Sequence, residues 1–204
     1  MLKDKKLRIA VMVSGGGTNL QALIDSQKAG IITSGEIALV LSNKADAYAL
    51  TRAQNAGINA VAVTRKEFGE NFENKIIETL EENNIDLIVL AGFMCILSQN
   101  FTDRFAKRII NIHPSLIPSF CGEGFYGLRV HSAALEKGVK VTGATVHFVN
   151  EIPDGGEIIM QKAVEVMEGD TPETLSTRVL ENAEWIILPR ATQLVCEKII
   201  KEEI

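Results

Sequence analysis

The sequence is poor in cysteine, has no long apolar run and carries no surplus of positive charge. Its three cysteines, Cys95, Cys121 and Cys196, lie far apart and include no CxxC pair, which favours reduced thiols in a cytoplasmic protein. The apolar run near the N-terminus is too short for a signal sequence, and no stretch approaches the roughly 18 apolar residues of a membrane span. We therefore expect a cytoplasmic protein with no membrane partner.

The charge balance also limits the partners. The chain has 21 Lys and Arg against 26 Asp and Glu, a net charge of −5, and no basic tract. A general polyanion binder would carry a basic surplus, so we expect no nucleic acid partner, and any bound phosphate should be small and held locally. With 204 residues and 46% hydrophobic content, the chain can bury the core of one domain.

Short apolar runs alternate with helical patterns over the first part of the chain, which predicts βαβ units. Strands are predicted at Leu7–Val13, Glu36–Leu41, Ile58–Val63, Ile85–Ala91 and Arg108–Ile112, and helices at Leu20–Ala29, Ala45–Ala56, Phe72–Asn83 and Val130–Lys137, with a further short helix after Ser98. Ile85–Ala91 is the most hydrophobic strand, so we expect it at the centre of the sheet.

The pattern changes in the second part of the chain. Pro114–Leu128 is predicted to be a long loop, and Val139–Val149 and Ile158–Val166 two strands joined by a turn at Ile152–Gly156. Thr171–Lys201 is predicted to be one long helix with a kink or break at Pro189. The pattern predicts an α/β protein with a mostly parallel, Rossmann-like open sheet, helices on both faces and a late antiparallel element.

Ligands of open α/β sheets bind beyond the carboxyl ends of the parallel strands. Polar or glycine-rich segments follow Val13, Leu90 and Ile112. The first, Ser14–Asn19, has three glycines between a strand and a helix, so its backbone N–H groups and the helix N-terminus could hold a phosphate. It lacks the Lys of a Walker A loop and the last glycine of GxGxxG, and a plain strand-to-helix turn remains the alternative.

Two further motifs carry polar side chains suited to acyl transfer. Asn111 and His113 alternate in a strand and should point to the same side, where an amide and an imidazole could stabilise an oxyanion. Asp154, followed by two glycines, would raise the pKa of His113 if it reached that imidazole. The alternatives are a structural histidine and an ordinary turn. We expect structural roles for His131 and His147.

A metal site and a cysteine nucleophile are not predicted. The histidines have no HxxxH or HxH spacing and no neighbouring cysteine, so we expect no metal. Cys95 and Cys121 have no histidine close in sequence that could activate them.

Taken in order, the motifs resemble those of the phosphoribosylglycinamide formyltransferases, the folate-dependent family of purine synthesis. The similar segments span nearly the whole chain and include SGGGTNLQALID (14–25), SNKADAYAL (42–50), VLAGFMCILS (89–98), NIHPSLIPSF (111–120), GATVHFVNEIPDGG (143–156) and ILP (187–189). The resemblance implies formyl transfer from 10-formyltetrahydrofolate, a co-substrate, to the amine of phosphoribosylglycinamide, with no metal, by a monomer or a homodimer.

The resemblance also implies site residues. Asn111, His113 and Asp154 would be catalytic, with His113 an imidazolium. The ribotide would contact Gly17, Thr18, Asn19 and Glu184, although the match at Glu184 needs a one-residue insertion. The folate would contact Met94, Cys95, Ile96, Leu97, Asn111, Asn150, Glu151, Ile152, Pro153 and Asp154. Residues 1–204 would form one domain, with a phosphate-binding half (1–110) and a catalytic and folate-binding half (111–204).

The chain departs from the family pattern at two points. Many members have Arg at the position of Cys95, and another Arg in the segment that here is Phe68–Asn71, so the affinity for the glutamate tail of folate is in question. The loop Ser119–Gly127 is also longer than in many relatives.

Two alternatives remain open at this point. One is another formyl-folate enzyme, a hydrolase or a methionyl-tRNA formyltransferase, although this chain lacks the extra domain or basic tract expected of them. The other is a nucleotide-binding regulatory module without catalysis, in which His113 and Asp154 would lie apart.

Overall fold

A seven-stranded sheet forms the centre of the protein in the computed structural model, which describes residues 6–204. The strands are β1 Leu7–Val13, β2 Gly35–Ser42, β3 Asn59–Ala62, β4 Leu87–Leu90, β5 Ile109–His113, β6 Val141–Phe148 and β7 Ile158–Glu165. They lie in the order β3-β2-β1-β4-β5-β6-β7. Strands β1 to β5 run parallel to one another, β6 runs antiparallel to β5, and β7 runs antiparallel to β6. The predicted fold is confirmed, as is the central position of the strand within Ile85–Ala91.

Helices cover both faces of the sheet. They are α1 Thr18–Lys28, α2 Tyr48–Asn55, α3 Arg65–Phe68, α4 Phe72–Glu82, α5 Gln99–Arg104, α6 Leu128–Lys137, α7 Pro172–Val179 and α8 Trp185–Ile200, with a 3-10 turn at Gly69–Asn71 and a π-helical turn at Leu180–Glu184. Alternation along β1 separates two cores: Val11 packs with the cluster that contains α1, α7 and α8, and Met12 packs with α4 and α5. Packing on both faces explains why the central strands are apolar throughout.

The long helix predicted over Thr171–Lys201 is confirmed, since helical structure is continuous from Pro172 to Ile200, but the break predicted at Pro189 as one alternative is wrong. The helix is regular up to Val179, widens into the π-helical turn, and then continues as α8 through Pro189. In the wide turn, the N–H of Trp185 donates to the carbonyl of Leu180, five residues earlier. A proline ring crowds the carbonyl four residues before it, which for Pro189 is that of Trp185. We therefore attribute the π-helical turn, which ends just before Trp185, to the presence of Pro189.

The helix α1 begins at Thr18, two residues earlier than predicted, and α3 is a short helix that the sequence pattern did not indicate. The earlier start puts Asn19 in the first turn of α1, so its side chain has a fixed place beside the glycine loop. Among residues 6–204, no helix is both long and apolar enough to cross a bilayer.

The strand order brings the three polar segments together. Strands β1, β4 and β5 are neighbours in the sheet, so the segments that follow their carboxyl ends share one edge. The side chain of Ser14, after β1, accepts a hydrogen bond of 2.7 Å from the backbone N–H of Met94, after β4. The predicted convergence at the carboxyl edge is therefore observed.

Candidate active site

The glycine loop after β1 needs a glycine at position 17. Gly17 has φ 73°, and a Cβ there would lie 2.6 Å from the Cβ of Ala49 on α2. Gly17 is also the N-cap of α1, and no side chain caps that helix. The first N–H groups of α1 are thus available to an anion, at the positive end of the helix dipole.

Beside this loop, two buried side chains that are distant in sequence meet. The side-chain amide of Asn19 donates a hydrogen bond of 2.6 Å to the carboxyl group of Glu184, which is only 7% exposed and closes the π-helical turn. Burial raises the pKa of Glu184 to about 7, and the hydrogen bond from Asn19 opposes part of that shift. Asn19 Oδ1 is buried and has no hydrogen-bond partner in the described part of the chain. The pair could therefore accept hydrogen bonds from a ligand.

The structure also brings His113 and Asp154 together. His113 ends β5, and its Nδ1 lies 3.4 Å from Asp154 Oδ2. The long loop completes the contacts, because the carbonyl of Phe120 lies 2.9 Å from His113 Nε2 and the N–H of Gly122 donates to Asp154 Oδ2 at 2.9 Å. The turn that carries Asp154 needs Gly156, since a Cβ there would collide with the carbonyl of Phe148.

His147 is a member of this cluster that the sequence analysis missed. It pairs with Asn111 across β5 and β6, its Nε2 lies 3.2 Å from Asn111 Nδ2, and the same Nε2 lies 3.4 Å from Asp154 Oδ1. The expected purely structural role did not anticipate this position. The antiparallel register of β5 and β6 would have revealed it, because it places His147 directly opposite Asn111.

The charge states differ from the expectation at one point. Burial alone would raise the pKa of Asp154, but His147, His113 and the Gly122 N–H together lower it, so the carboxylate is ionised at neutral pH. The expected rise in the pKa of His113 is wrong for the free protein. Burial lowers it, and this effect outweighs Asp154 and the Phe120 carbonyl, which act in the opposite direction.

The predicted folate-binding residues lie in two segments, one after β4 and one after β6. In the first, Met94 and Ile96 are exposed, Leu97 is buried, and Cys95 accepts a hydrogen bond of 3.0 Å from Asn43. Ile96 and Leu97 line a cavity of about 280 Å³, together with Arg65, Glu70, Phe72, Glu73 and Ser98.

The second segment borders a different cavity. Asn150 and Glu151 line a space of about 290 Å³, together with residues of α5 and the turn after it, the end of β6, and Gly156 and Glu157, while Ile152 and Pro153 are exposed. The side chain of Asn150 shapes the turn by accepting a hydrogen bond of 3.1 Å from the Ile152 N–H. The two segments therefore flank the cluster but do not line one cavity.

No group of three or more His, Cys, Asp or Glu side chains within residues 6–204 has the arrangement of a metal site. The cluster instead has the chemistry of proton transfer and oxyanion stabilisation, with an amide donor, two imidazoles and an ionised carboxylate. Together with the anion-binding loop at the same edge, the fold and the site define a group-transfer enzyme of the open α/β class.

Comparison with known proteins identifies the family. Residues 7–192 match the family described as "Formyl transferase". The chain therefore belongs to the formyl transferase family.

Named relatives narrow the comparison. The chain is 46% identical over 184 residues to the phosphoribosylglycinamide formyltransferase of Haemophilus influenzae, covering 89% of this chain and 84% of that protein. The crystal structure of glycinamide ribonucleotide transformylase 1 from Symbiobacterium toebii superimposes with a TM-score of 0.88 at 43% identity, over 94% of this chain and 88% of that one.

A larger human protein is also similar. The trifunctional purine biosynthetic protein adenosine-3 of Homo sapiens is 48% identical over 195 residues, which are 95% of this chain but only 19% of that protein. The chain thus spans about a fifth of the length of the trifunctional relatives it matches.

Proposed function

We propose that this protein transfers the formyl group of 10-formyltetrahydrofolate to the amine of 5'-phosphoribosylglycinamide, giving formylglycinamide ribotide and tetrahydrofolate in purine synthesis. The observation that carries the proposal is the meeting of Asn111, His113 and Asp154 in one cluster, at the sheet edge that also holds the glycine loop. The similarity to the Haemophilus and Symbiobacterium proteins, which are named for this activity or its substrate, supports it.

The proposed substrate positions are divided between the glycine loop and the cluster around His113. In the phosphate-binding half (1–110), the N–H groups at Gly17, Thr18 and Asn19 would hold the phosphate of the ribotide. Asn19 Oδ1, which has no partner in the described residues, and Glu184 would accept hydrogen bonds from its hydroxyl groups. The catalytic and folate-binding half (111–204) would supply Asn111, His113 and the turn Asn150–Asp154 to the formyl donor, with Met94–Leu97 on its other side.

The proposed reaction is a direct transfer. The amine nitrogen attacks the formyl carbon, a tetrahedral oxyanion forms, and the bond to the folate nitrogen breaks as that nitrogen receives a proton and the attacking amine loses one. Asn111 would donate a hydrogen bond to the oxyanion, and such a donor typically contributes about 3 to 4 kcal/mol. Alignment of the two substrates in one cleft would lower the barrier further.

His113 and Asp154 would manage charge and proton movement in this step. Burial makes His113 easy to deprotonate in the free protein, whereas Asp154 and a developing oxyanion both favour its protonated form. Asp154 would hold the ring at Nδ1, and the Nε2–H would have to leave the Phe120 carbonyl to donate to the oxyanion as the negative charge forms.

The test is to mix pure protein, 10-formyltetrahydrofolate and glycinamide ribotide, or to use a dideaza analogue of the folate, and to follow the folate product with and without the ribotide. Product formation that depends on the ribotide is the expected result. Release of formate without ribotide would identify a hydrolase, and activity with a methionyl-tRNA alone would identify a tRNA formyltransferase. Either result would overturn the proposed substrate.

We further propose a cytoplasmic monomer or homodimer. Three free cysteines and the net charge of −5 support a reducing compartment and the absence of a nucleic acid partner. Sedimentation analysis at micromolar protein concentration separates the monomer from the dimer.

A further inference from the structure

His147 is the one imidazole in the cluster to which the proposed function gives no role. It is 2% exposed, and it alternates along β6 with Val146 and Phe148, which pack in the core cluster that contains α1, α7 and α8. Its ring therefore faces the same side of the sheet as Asn111, its cross-strand partner. A buried imidazole in contact with a proposed oxyanion donor calls for an account of its protons.

One of its ring nitrogens has a defined proton. His147 Nδ1 lies 2.8 Å from the carbonyl oxygen of Phe148, and because a carbonyl only accepts, Nδ1 carries the hydrogen. In the neutral ring, Nε2 is then a hydrogen-bond acceptor. The atom 3.2 Å from that acceptor is the side-chain nitrogen of Asn111.

The tautomer of His147 thus decides whether Nδ2 or Oδ1 of Asn111 faces the imidazole ring. An asparagine amide can turn over, exchanging a donor for an acceptor at nearly no change in shape. An acceptor at His147 Nε2 selects the orientation with Nδ2 toward the ring, and because Nδ2 carries two hydrogens, one remains for a substrate oxygen. In the opposite orientation, Oδ1 would face the ring's lone pair.

Resting on the proposed function, we propose that His147 is a positioning residue, which as the neutral Nδ1–H tautomer fixes the donor end of Asn111 for the formyl oxygen. Asp154 Oδ1, 3.4 Å from Nε2, is the competing partner, because it would favour a proton on Nε2, and His147 lowers the pKa of Asp154 only when that proton is present. A proton there would remove the acceptor that holds Asn111.

Two substitutions separate the two nitrogens of His147. In His147→Asn, the amide nitrogen can replace Nδ1 and keep the bond to Phe148, but the acceptor for Asn111 is lost. In His147→Gln, the longer side chain can supply an acceptor near the Nε2 position, and the Phe148 bond is lost. We expect kcat to fall at least about tenfold in His147→Asn, with KM within about threefold, and to stay within about threefold of wild type in His147→Gln.

A double-mutant cycle tests whether the effect passes through Asn111. In an Asn111→Ala background, adding His147→Asn should change kcat by less than about twofold, since the amide that His147 positions is already gone. A full and independent loss in that background would overturn the proposal. Equal losses of kcat in His147→Asn and His147→Gln would do the same.

The tautomer is measured directly by nitrogen-15 NMR of histidine-labelled wild-type protein, which needs no enzymatic activity. The expected result is a neutral His147 ring with its proton on Nδ1. A proton on Nε2, or a charged ring at pH 7.5, would overturn the proposal even if the variants misfold. A wild-type protein that fails to transfer formyl while showing the expected tautomer would refute the proposed function instead.

Discussion

The candidate active site contains one buried and one half-buried carboxyl group, and their pKa values shift in opposite directions. Glu184, at the glycine loop, has one neutral amide partner, and burial raises its pKa to about 7. Asp154, at the proposed catalytic end, faces two imidazoles and a backbone N–H, which lower its pKa although partial burial raises it. Glu184 is the more deeply buried group and has only a neutral partner, so burial and the charge and number of partners together decide which carboxyl group is ionised at neutral pH.

The largest expected effect is a loss of kcat when either member of the His113–Asp154 pair is replaced. Asp154→Asn and His113→Ala should each lower kcat by about 100-fold or more with little change in KM, because proton transfer and ring orientation are lost. Steady-state kinetics with both substrates varied measures this. Asp25→Asn, an exposed residue of α1, is the matched control and should keep wild-type kcat. Near-normal turnover in both cluster variants would contradict the mechanism.

The next effect is the pH dependence that Glu184, beside the glycine loop, gives to the free energy of unfolding. The pKa of Glu184 is raised in the folded protein. Its contribution to the free energy of unfolding is therefore fully present below 4.5, its pKa in the unfolded chain, and is lost as the pH rises through about 7. Relative to Glu184→Gln, the wild-type free energy of unfolding should fall by up to about 3 kcal/mol between pH 4.5 and 8. Urea unfolding at several pH values measures this free energy. If it depended on pH in the same way in both proteins, the pKa of Glu184 would not be shifted.

A smaller effect is expected on ribotide binding. Glu184→Gln should raise KM for the ribotide about tenfold with kcat nearly unchanged, since an amide accepts hydrogen bonds more weakly than a carboxylate. Wild-type affinity for the ribotide should improve as pH rises through about 7, and the variant should lack this improvement. Glu181→Gln, an exposed change in the same turn, is the control. Equal KM values in the two variants would remove Glu184 from the ribotide site.

A further effect on stability concerns His131, buried in α6, whose pKa is lowered to about 4 by burial and by the charge of His113. A lowered histidine pKa means that the unfolded chain binds the proton first, so stability declines as pH falls from 6.5 toward about 4. His131→Gln should make that decline shallower without abolishing it, because the pKa of His113 is lowered as well. Thermal unfolding between pH 7 and 4.5 measures the slopes, and identical slopes would contradict this assignment.

Local rules predicted much of this site. Alternation along one strand was enough to put Asn111 and His113 on one side, and the rule for open sheets put the glycine loop at the same edge. His147 was missed because its position beside Asn111 depends on the pairing of β5 with β6. The direction of the pKa shift of His113 was predicted wrongly because its burial depends on packing from the whole chain. The π-helical turn was missed because periodicity does not reveal one wide turn in a long helix.

The stoichiometry of the reaction tests the central claim most directly. Tetrahydrofolate and formylglycinamide ribotide are quantified together, by absorbance and mass spectrometry, in reactions of the wild-type protein and of Asp154→Asn. The account predicts one ribotide product for each tetrahydrofolate in the wild type, none without ribotide, and almost none from the variant. Tetrahydrofolate formed at the same rate without ribotide, or by the variant, would contradict it.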